Sequence, residues 1–446
     1  MKSTGRGTVT TRALTIAAAL TLAACQSDAT ITPSHSPTAT SDTATAPAPQ
    51  PDFFTEVLVD RSTTVADVTL TPAGARDALA AGILTDQRTV PGTDSDGKST
   101  NATAIMDDGT VVGSRSGSKS QASLEDTISQ TAVGVIDASG TFTAFPDAAT
   151  SELESKGVDP SIGRQAMSFD SRGRMVAWAE TSSTSVGADN WVIIAHDLDT
   201  GTTRVLGASN ELVPDGHLPG MGPDAPSIGT SRVFWGTAYP LDTKAADGAA
   251  GYEILAAPLD GASPPAVIAK GALLPAADGD CVAFARGWGA DESLPQGEIR
   301  LARVCGDGPE VPLVRLTIGA DGNMSNLVAD AGRIAWSTVR KEGQGEGQSE
   351  VTVLDIATGA LTAVNLGATA QIWTQPVTQM SLRGDLLQWT TDGSHMVLDL
   401  SNNSLWSLPS TVGFDSAYAA HGWVGWQVAP ADPAGLASVT IARWAR

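Results

Sequence analysis

An all-β chain built as a ring of repeated four-stranded sheets is what this sequence predicts, and three observations carry the prediction. The stretch DAGRIAWSTV, Asp330 to Val339, recurs in variant form along most of the chain at a period of about 50 residues. Each copy is followed, after a polar insert of variable length, by an apolar run that reaches an Asp and a tight turn. Each copy is also preceded by a further strand-like run, as in AMSFDSRG or MSNLVADAG.

Aligned on the aromatic, the repeat reaches Trp178, Trp235, Phe284, Trp336, Trp389 and Trp426, with a degenerate copy near Gly113 that lacks the aromatic. Apolar residues alternate with polar ones in these runs, the pattern of a strand with a buried face. In the second motif, of which HDLDTGTTRV and VLDIATGALTAV are examples, the Asp side chain can cap backbone N–H groups. Gly201 or Gly359 then supplies the positive φ that a short hairpin needs. These Asp residues are expected to form turns, not to act as catalytic acids. The resulting order is strand, Gly turn, aromatic-ending strand, variable loop, strand, Asp turn, strand. That order is the antiparallel meander of a β-propeller blade.

Seven copies are counted, over 100–147, 165–209, 224–270, 273–316, 323–367, 376–410 and 415–446, with six or eight blades as the alternatives. The last copy lacks a fourth strand, and an open edge leaves backbone groups unpaired. An N-terminal strand is therefore expected to close the ring, drawn from FFTEVLVDRS or VADVTLT between 53 and 70. PAGARDALAAGIL, which follows, reads as a short helix outside the ring. The recurring Trp is expected to sit between blades, where an aromatic buries about 150–250 Å². At roughly 25 cal/mol per Å² that is several kcal/mol per site as an upper bound. A ligand-stacking ring of Trp is the alternative.

The N-terminus carries Lys2, Arg6 and Arg12 ahead of an apolar run of about a dozen residues. A spanning helix needs roughly 20 apolar residues, so this run has the layout of a secretory signal. It ends in Leu22-Ala23-Ala24-Cys25, which resembles the bacterial lipobox. The resemblance implies cleavage before Cys25 and acylation of that Cys, making it the lipidation site; an ordinary signal peptide with a chance Cys is the alternative. The expected organisation is a signal peptide at 1–24, a disordered Ser/Thr/Ala/Pro tether at 25–51, and a single propeller domain at 52–446.

The repeats resemble those of WD40-like and TolB-like propellers of bacterial exported proteins, with Gly-x-x-Ile-Ala-Phe/Trp followed by an Asp-x-x-x-Gly turn, over about 100–446. The Ser-Pro-Asp-Gly turn usual in the TolB-like repeats is absent. The resemblance implies a binding platform at the ring's central opening. VLDIATGAL is also similar to the turn of pyrroloquinoline-quinone propellers, but Ala363 and Val205 stand where their docking Trp would be, so no cofactor is expected.

Cys281 and Cys305 remain once Cys25 is assigned to lipid. They fall on neighbouring strands of the fourth repeat, equidistant from its polar insert, and a cross-strand disulfide is expected in an exported setting. No nucleophile elbow, zinc-protease helix motif, phosphate loop or Cys-x-x-Cys occurs, and the five His are scattered; no metal site is expected. Asp94, Asp96 and Ser99 faintly resemble a calcium loop, but the closing Glu is missing and an exposed turn is the reading kept.

A net charge of −22 repels nucleic acid and anionic lipid, so neither is expected as a partner beyond the lipid on Cys25. The loops entering each innermost strand should ring one mouth of the channel. They contain Asp96, Arg164, Gln165, His217, Asp224, Asn323, Trp373, Gln375, Phe414 and Asp415 as candidate binding residues. The function expected is a monomeric, lipid-anchored extracytoplasmic propeller that binds an envelope protein or glycan, or serves as a scaffold. The alternative is an envelope glycan hydrolase or lyase with paired carboxylates at the channel.

Overall fold

The computed structural model describes residues 53–62, 66–116, 131–182, 190–213, 223–240, 250–287, 294–341, 343, 346–369, 377–391, 394–409, 418–430 and 436–445. The expected signal peptide and tether lie outside the described residues. Seven sheets follow one another along the chain, and within each the strands consecutive in the blade pair antiparallel. Blade 1 runs from Thr100–Ile105 to Phe142–Ala144 and blade 2 from Gln165–Arg172 to Thr202–Ala208. Blade 3 runs from Ser227–Ile228 to Ala266–Lys270, and blade 4 from Leu273–Asp278 to Val311–Thr317. Blade 5 runs from Asn323–Asp330 to Ala360–Thr369, and blade 6 from Gln379–Arg383 to Ser404–Ser407. Blade 7 holds Trp423–Val428 and Ser438–Trp444, with a bridge from Ala420 on its inner side. The fold is a seven-bladed β-propeller.

Seven apolar clusters hold the ring, one between each pair of successive blades, and the seventh joins Tyr418, Val439 and Ile441 of blade 7 to Ile105, Val111 and Ile136 of blade 1. Every repeat aromatic faces the blade before it. Trp336, fully buried, packs with Leu301, Leu316 and Ile334 between blades 4 and 5. Blade 1 has Gly113 at this position, pressed against Asn101 and Ile136. There Tyr418 supplies the aromatic from the blade 7 side, its hydroxyl donating to the Ala102 carbonyl at 2.9 Å.

The turns follow the sequence reading. Gly332 has φ 76°, a left-handed conformation that lets the inner strand of blade 5 turn back in the fewest residues. Asp137 Oδ1 accepts the N–H groups of Ser139 and Thr141, and Asp399 Oδ1 accepts that of Ser401. Asp94 Oδ1 likewise accepts from Asp96 and Lys98, which makes that loop a turn organised by Asp94. Cys281 and Cys305 are disulfide-bonded and stand directly opposite in register in blade 4.

The N-terminal segment departs from expectation. The closing strand is Leu84–Val90, paired antiparallel with Ser438–Trp444 as the outer strand of blade 7. The two runs expected to close the ring lie elsewhere: Phe54–Val57 is a fifth strand outside blade 4, and Val68–Leu70 pairs in parallel outside blade 5. The stretch expected as a helix forms a 3-10 turn at Pro72–Gly74 and a two-residue strand, Arg76–Asp77, outside blade 6 before entering the closing strand. Its Ala content favours helix, but an isolated helix this short is marginal in water. Burial of Ala78 and Leu84 against Trp406 and Trp444 decides the outcome. The segment is a strap laid around blades 4, 5 and 6 before it closes blade 7.

The indole N–H of Trp235, Trp336 and Trp389 is buried without a hydrogen-bond partner among the described residues, while blade 4 uses Phe284 at the same repeat position. Trp336→Phe should therefore cost under about 1.5 kcal/mol, because it removes a costly unsatisfied donor along with some volume. Trp336→Ala should cost about 3–5 kcal/mol. Urea unfolding of the two variants measures both.

Candidate functional site

A four-stranded meander places its first and third connections at one end of the blade and its second connection, with the link to the next blade, at the other. The propeller thus has a turn face, carrying the repeat Gly and Asp turns, and a loop face, carrying the variable inserts.

Asp96, Arg164, Gln165, Asp224 and Asn323, of the sequence-predicted residues, belong to the loop face. His217, Trp373, Gln375, Phe414 and Asp415 lie outside the described residues. Asp96 is exposed, 3.7 Å from Arg115, whose guanidinium also bonds Asp94 and covers the Phe142 ring. Gln165 is exposed and opens the inner strand of blade 2 opposite Thr181, and half-buried Asn323 opens that of blade 5 opposite Val339. Arg164 is buried at 4% exposure, within electrostatic reach of Glu180 and Asp159, and its carbonyl accepts the Thr131 N–H of blade 1. Asp224 faces Gly236, and its Oδ2 accepts the Leu274 N–H of blade 4 at 2.8 Å. Burial pushes the Asp224 carboxyl up, with the Leu274 bond acting against it. Burial likewise raises Glu180, opposed by the Trp178 indole that donates to it at 2.9 Å, and Glu253, opposed by Lys270. The first and last of these groups sit in blade 3, and Glu180 in blade 2.

The turn face carries a cluster that sequence reasoning missed. Blades 2, 4, 5 and 6 end their inner strands in Arg172, Asp278, Asp330 and Arg383, each within two residues of the repeat Gly. Asp107 and His421 hold the matching places in blades 1 and 7, and Asp170 sits two residues before Arg172. Arg172 of blade 2 bonds Asp330 of blade 5, and Arg383 of blade 6 bonds Asp170 of blade 2. Blades three apart in a ring of seven face each other across its axis, so these pairs span the channel. Arg172 and Asp330 expose only 19% and 4% of their side chains, so the lattice closes this mouth with its own charges.

The same carboxylates tie four of the blades to the next. Asp107 Oδ2 accepts the Gly173 N–H, Asp170 Oδ2 the Ile228 N–H, Asp278 Oδ2 the Gly332 N–H and Asp330 Oδ2 the Gly384 N–H. His421 completes the circle, with Nδ1 3.0 Å from Asp107 Oδ1 and Nε2 3.4 Å from Asp330 Oδ2. Burial disfavours the charged form of Asp107, but the hydrogen bond and charge of His421 and the N–H groups of His421 and Gly173 outweigh it, holding that carboxyl below its ordinary range. Burial and the adjacent Arg383 disfavour charge on Arg172, while Asp170, Asp278 and Asp107 support it.

Chemically the lattice supplies ion pairing. Its carboxylates face guanidinium, imidazole and backbone N–H groups, not an open site in which a substrate could accept or lose a proton. Among the described residues no three His, Cys, Asp or Glu side chains are arranged to hold a metal ion. A signal for the cluster was present in the sequence: six repeats carry a charged residue or His directly before the repeat Gly or one residue earlier, Asp in three of them, Arg in two and His in one.

No protein-family model and no curated protein matches the chain. Among solved structures, the fold is similar to that of an uncharacterized protein from Listeria monocytogenes, 10% identical, covering 77% of this chain and 97% of that one with a TM-score of 0.40. The WD40 domain of Pan2 from Neurospora crassa is 9% identical, with 80% and 92% covered and a TM-score of 0.39. The N-terminal domain of Nup159 is 9% identical, with 85% and 99% covered and a TM-score of 0.38. These are likenesses of fold.

Two outcomes are expected of the lattice. In a double-mutant cycle, Arg172→Gln and Asp330→Asn should each destabilise the protein, and their combined effect should fall short of the sum by about 0.5–3 kcal/mol, read by denaturant unfolding. Asp107 has a lowered folded-state pKa, so its contribution is complete above the ordinary carboxylate pKa of about 3.9 and is lost as pH falls through the folded value. Acid unfolding should accordingly be less steep in Asp107→Asn than in wild type.

Proposed function

We propose that this chain is a lipid-anchored extracytoplasmic propeller that works as a binding or scaffolding module at the cell envelope, and that its binding surface is the loop face. The observation that carries the reading is the difference between the two faces. The turn face is built from recurring elements and its mouth is filled by paired charges, whereas the second and third strands of the blades end toward each other at the loop face, where the sequence between them varies in length from blade to blade. A platform needs a constant frame and a variable surface, and a propeller fold suits that division.

The envelope location rests on the sequence. The lipobox-like Leu22-Ala23-Ala24-Cys25 supplies an acylation site, and the Ser/Thr/Ala/Pro stretch after it suits an extended spacer. The Cys281–Cys305 disulfide is what an oxidising compartment would favour. Phe54 pairs with Thr317 at the loop-face end of blade 4, so a spacer ahead of it would join the propeller on that face. About 25 residues at roughly 3 Å each would then set the loop face up to about 80 Å from the bilayer.

A photo-crosslinking residue introduced at Gln165 on the loop face should capture a discrete envelope partner in living cells, and one at Asp199 on the turn face should not. Fatty-acid labelling should be present in wild type and absent in Cys25→Ala. Equal capture from both faces would overturn the assignment of the binding surface, and labelling that persists in Cys25→Ala would overturn the anchor.

A further inference from the structure

Imidazole is the side-chain type that gains its charge between about pH 5 and 8, and the lattice contains one at the point where the ring is assembled. Blade 7 combines both ends of the described chain: Leu84–Val90 pairs with Ser438–Trp444. His421 belongs to the C-terminal part of that blade. Asp107, its Nδ1 partner at 3.0 Å, belongs to blade 1, which follows directly from the closing strand. Its other nitrogen lies 3.4 Å from Asp330 Oδ2 of blade 5.

We propose that His421 is an acid-responsive latch, whose protonated ring ties blade 7 to blade 1 and blade 5 together and whose neutral ring can tie it to only one of them. A neutral imidazole carries one N–H, so one nitrogen donates and the other presents a lone pair. Both nitrogens of His421 face carboxylate oxygens. In the neutral ring one lone pair therefore points at a negative oxygen, and in the imidazolium both nitrogens donate.

The surrounding charges leave this arrangement to His421. From blade 6, Gly384 packs against the ring, a Cβ there falling 3.1 Å from His421 Cδ2. Arg383 beside it is bonded to Asp170, and Asp385 to Arg333. From blade 2, Arg172 reaches Asp330 through the other carboxylate oxygen, and it also faces Asp170, Asp278 and Asp107 electrostatically. Arg383 is thus held by Asp170, while Arg172 shares Asp330 with His421, each at a different oxygen, and Asp107 Oδ1 is directed at His421. The sign follows: lower pH tightens the junction of blades 7, 1 and 5, and higher pH loosens it.

The test is urea unfolding of the full chain at about pH 5 and about pH 8, in wild type and in His421→Gln. The folding equilibrium constant should rise on acidification about two- to fivefold more in wild type than in the variant. His196 is buried against Phe145, which disfavours its charge and gives the opposite pH trend, but it is present in both proteins and cancels. Identical pH dependence in the two proteins would overturn the proposal. If His421→Gln does not fold, hydrogen exchange of the His421 N–H in wild type decides instead. Protection corrected for intrinsic rate should increase toward acid, and protection that stays level across the range counts against the latch.

Discussion

The ring rests on one recurring contact, a carboxylate at the end of an inner strand accepting a backbone N–H from the turn of the next blade. Apolar interfaces hold neighbouring blades together without specifying direction, and a hydrogen bond to a buried N–H supplies the direction. Asp107, Asp170, Asp278 and Asp330 make this contact across four of the interfaces. Between blades 3 and 4 the Ser227 hydroxyl takes the role by accepting the Ala277 N–H, and between blades 6 and 7 the Ser381 hydroxyl donates to the Ala419 carbonyl. His421 meets Asp107 at the seventh.

These side chains also decide what the two faces can do. A carboxylate has two oxygens, and in Asp170 and Asp330 one serves the next blade while the other reaches an arginine across the axis. Charges this buried are tolerable only when paired, so the turn face is committed to holding the ring. Variation is left to the loop-face connections, such as the one that joins Cys281–Arg286 to Glu298–Cys305. The strap acts from outside, adding Phe54–Val57, Val68–Leu70 and Arg76–Asp77 to the outer edges of blades 4, 5 and 6 and covering edges that would otherwise be open to other strands.

Legibility in the sequence tracked the range of the interaction. Gly332, Ile334 and Trp336 act within one strand pair and its neighbouring interface, and so do the Asp turns and the Cys281–Cys305 pair. Their spacing carried the fold class, the blade count and the disulfide. The closing strand is not legible in this way, because nothing local distinguishes Leu84–Val90 from the strands before it; Thr89 meets Thr440 from 351 residues away. Of the candidate binding residues, Gln165 and Asn323 stand at the starts of inner strands as their positions implied, whereas Arg164 is drawn under the surface toward Glu180. The turn-face lattice was hidden for the same reason as the closing strand, with Arg172 and Asp330 separated by 158 residues.

The sequence by itself determined the blade, because a blade is a meander of adjacent strands whose periodicity, turn residues and aromatic are all written within about 50 residues. It also carries the features on which the proposed anchoring rests: the signal-like start, the lipobox-like Cys25 and the paired cysteines. Tertiary structure alone decided how the ring closes and which mouth is filled. Both depend on residues brought together by curvature accumulated over seven blades, and no window of sequence contains that curvature.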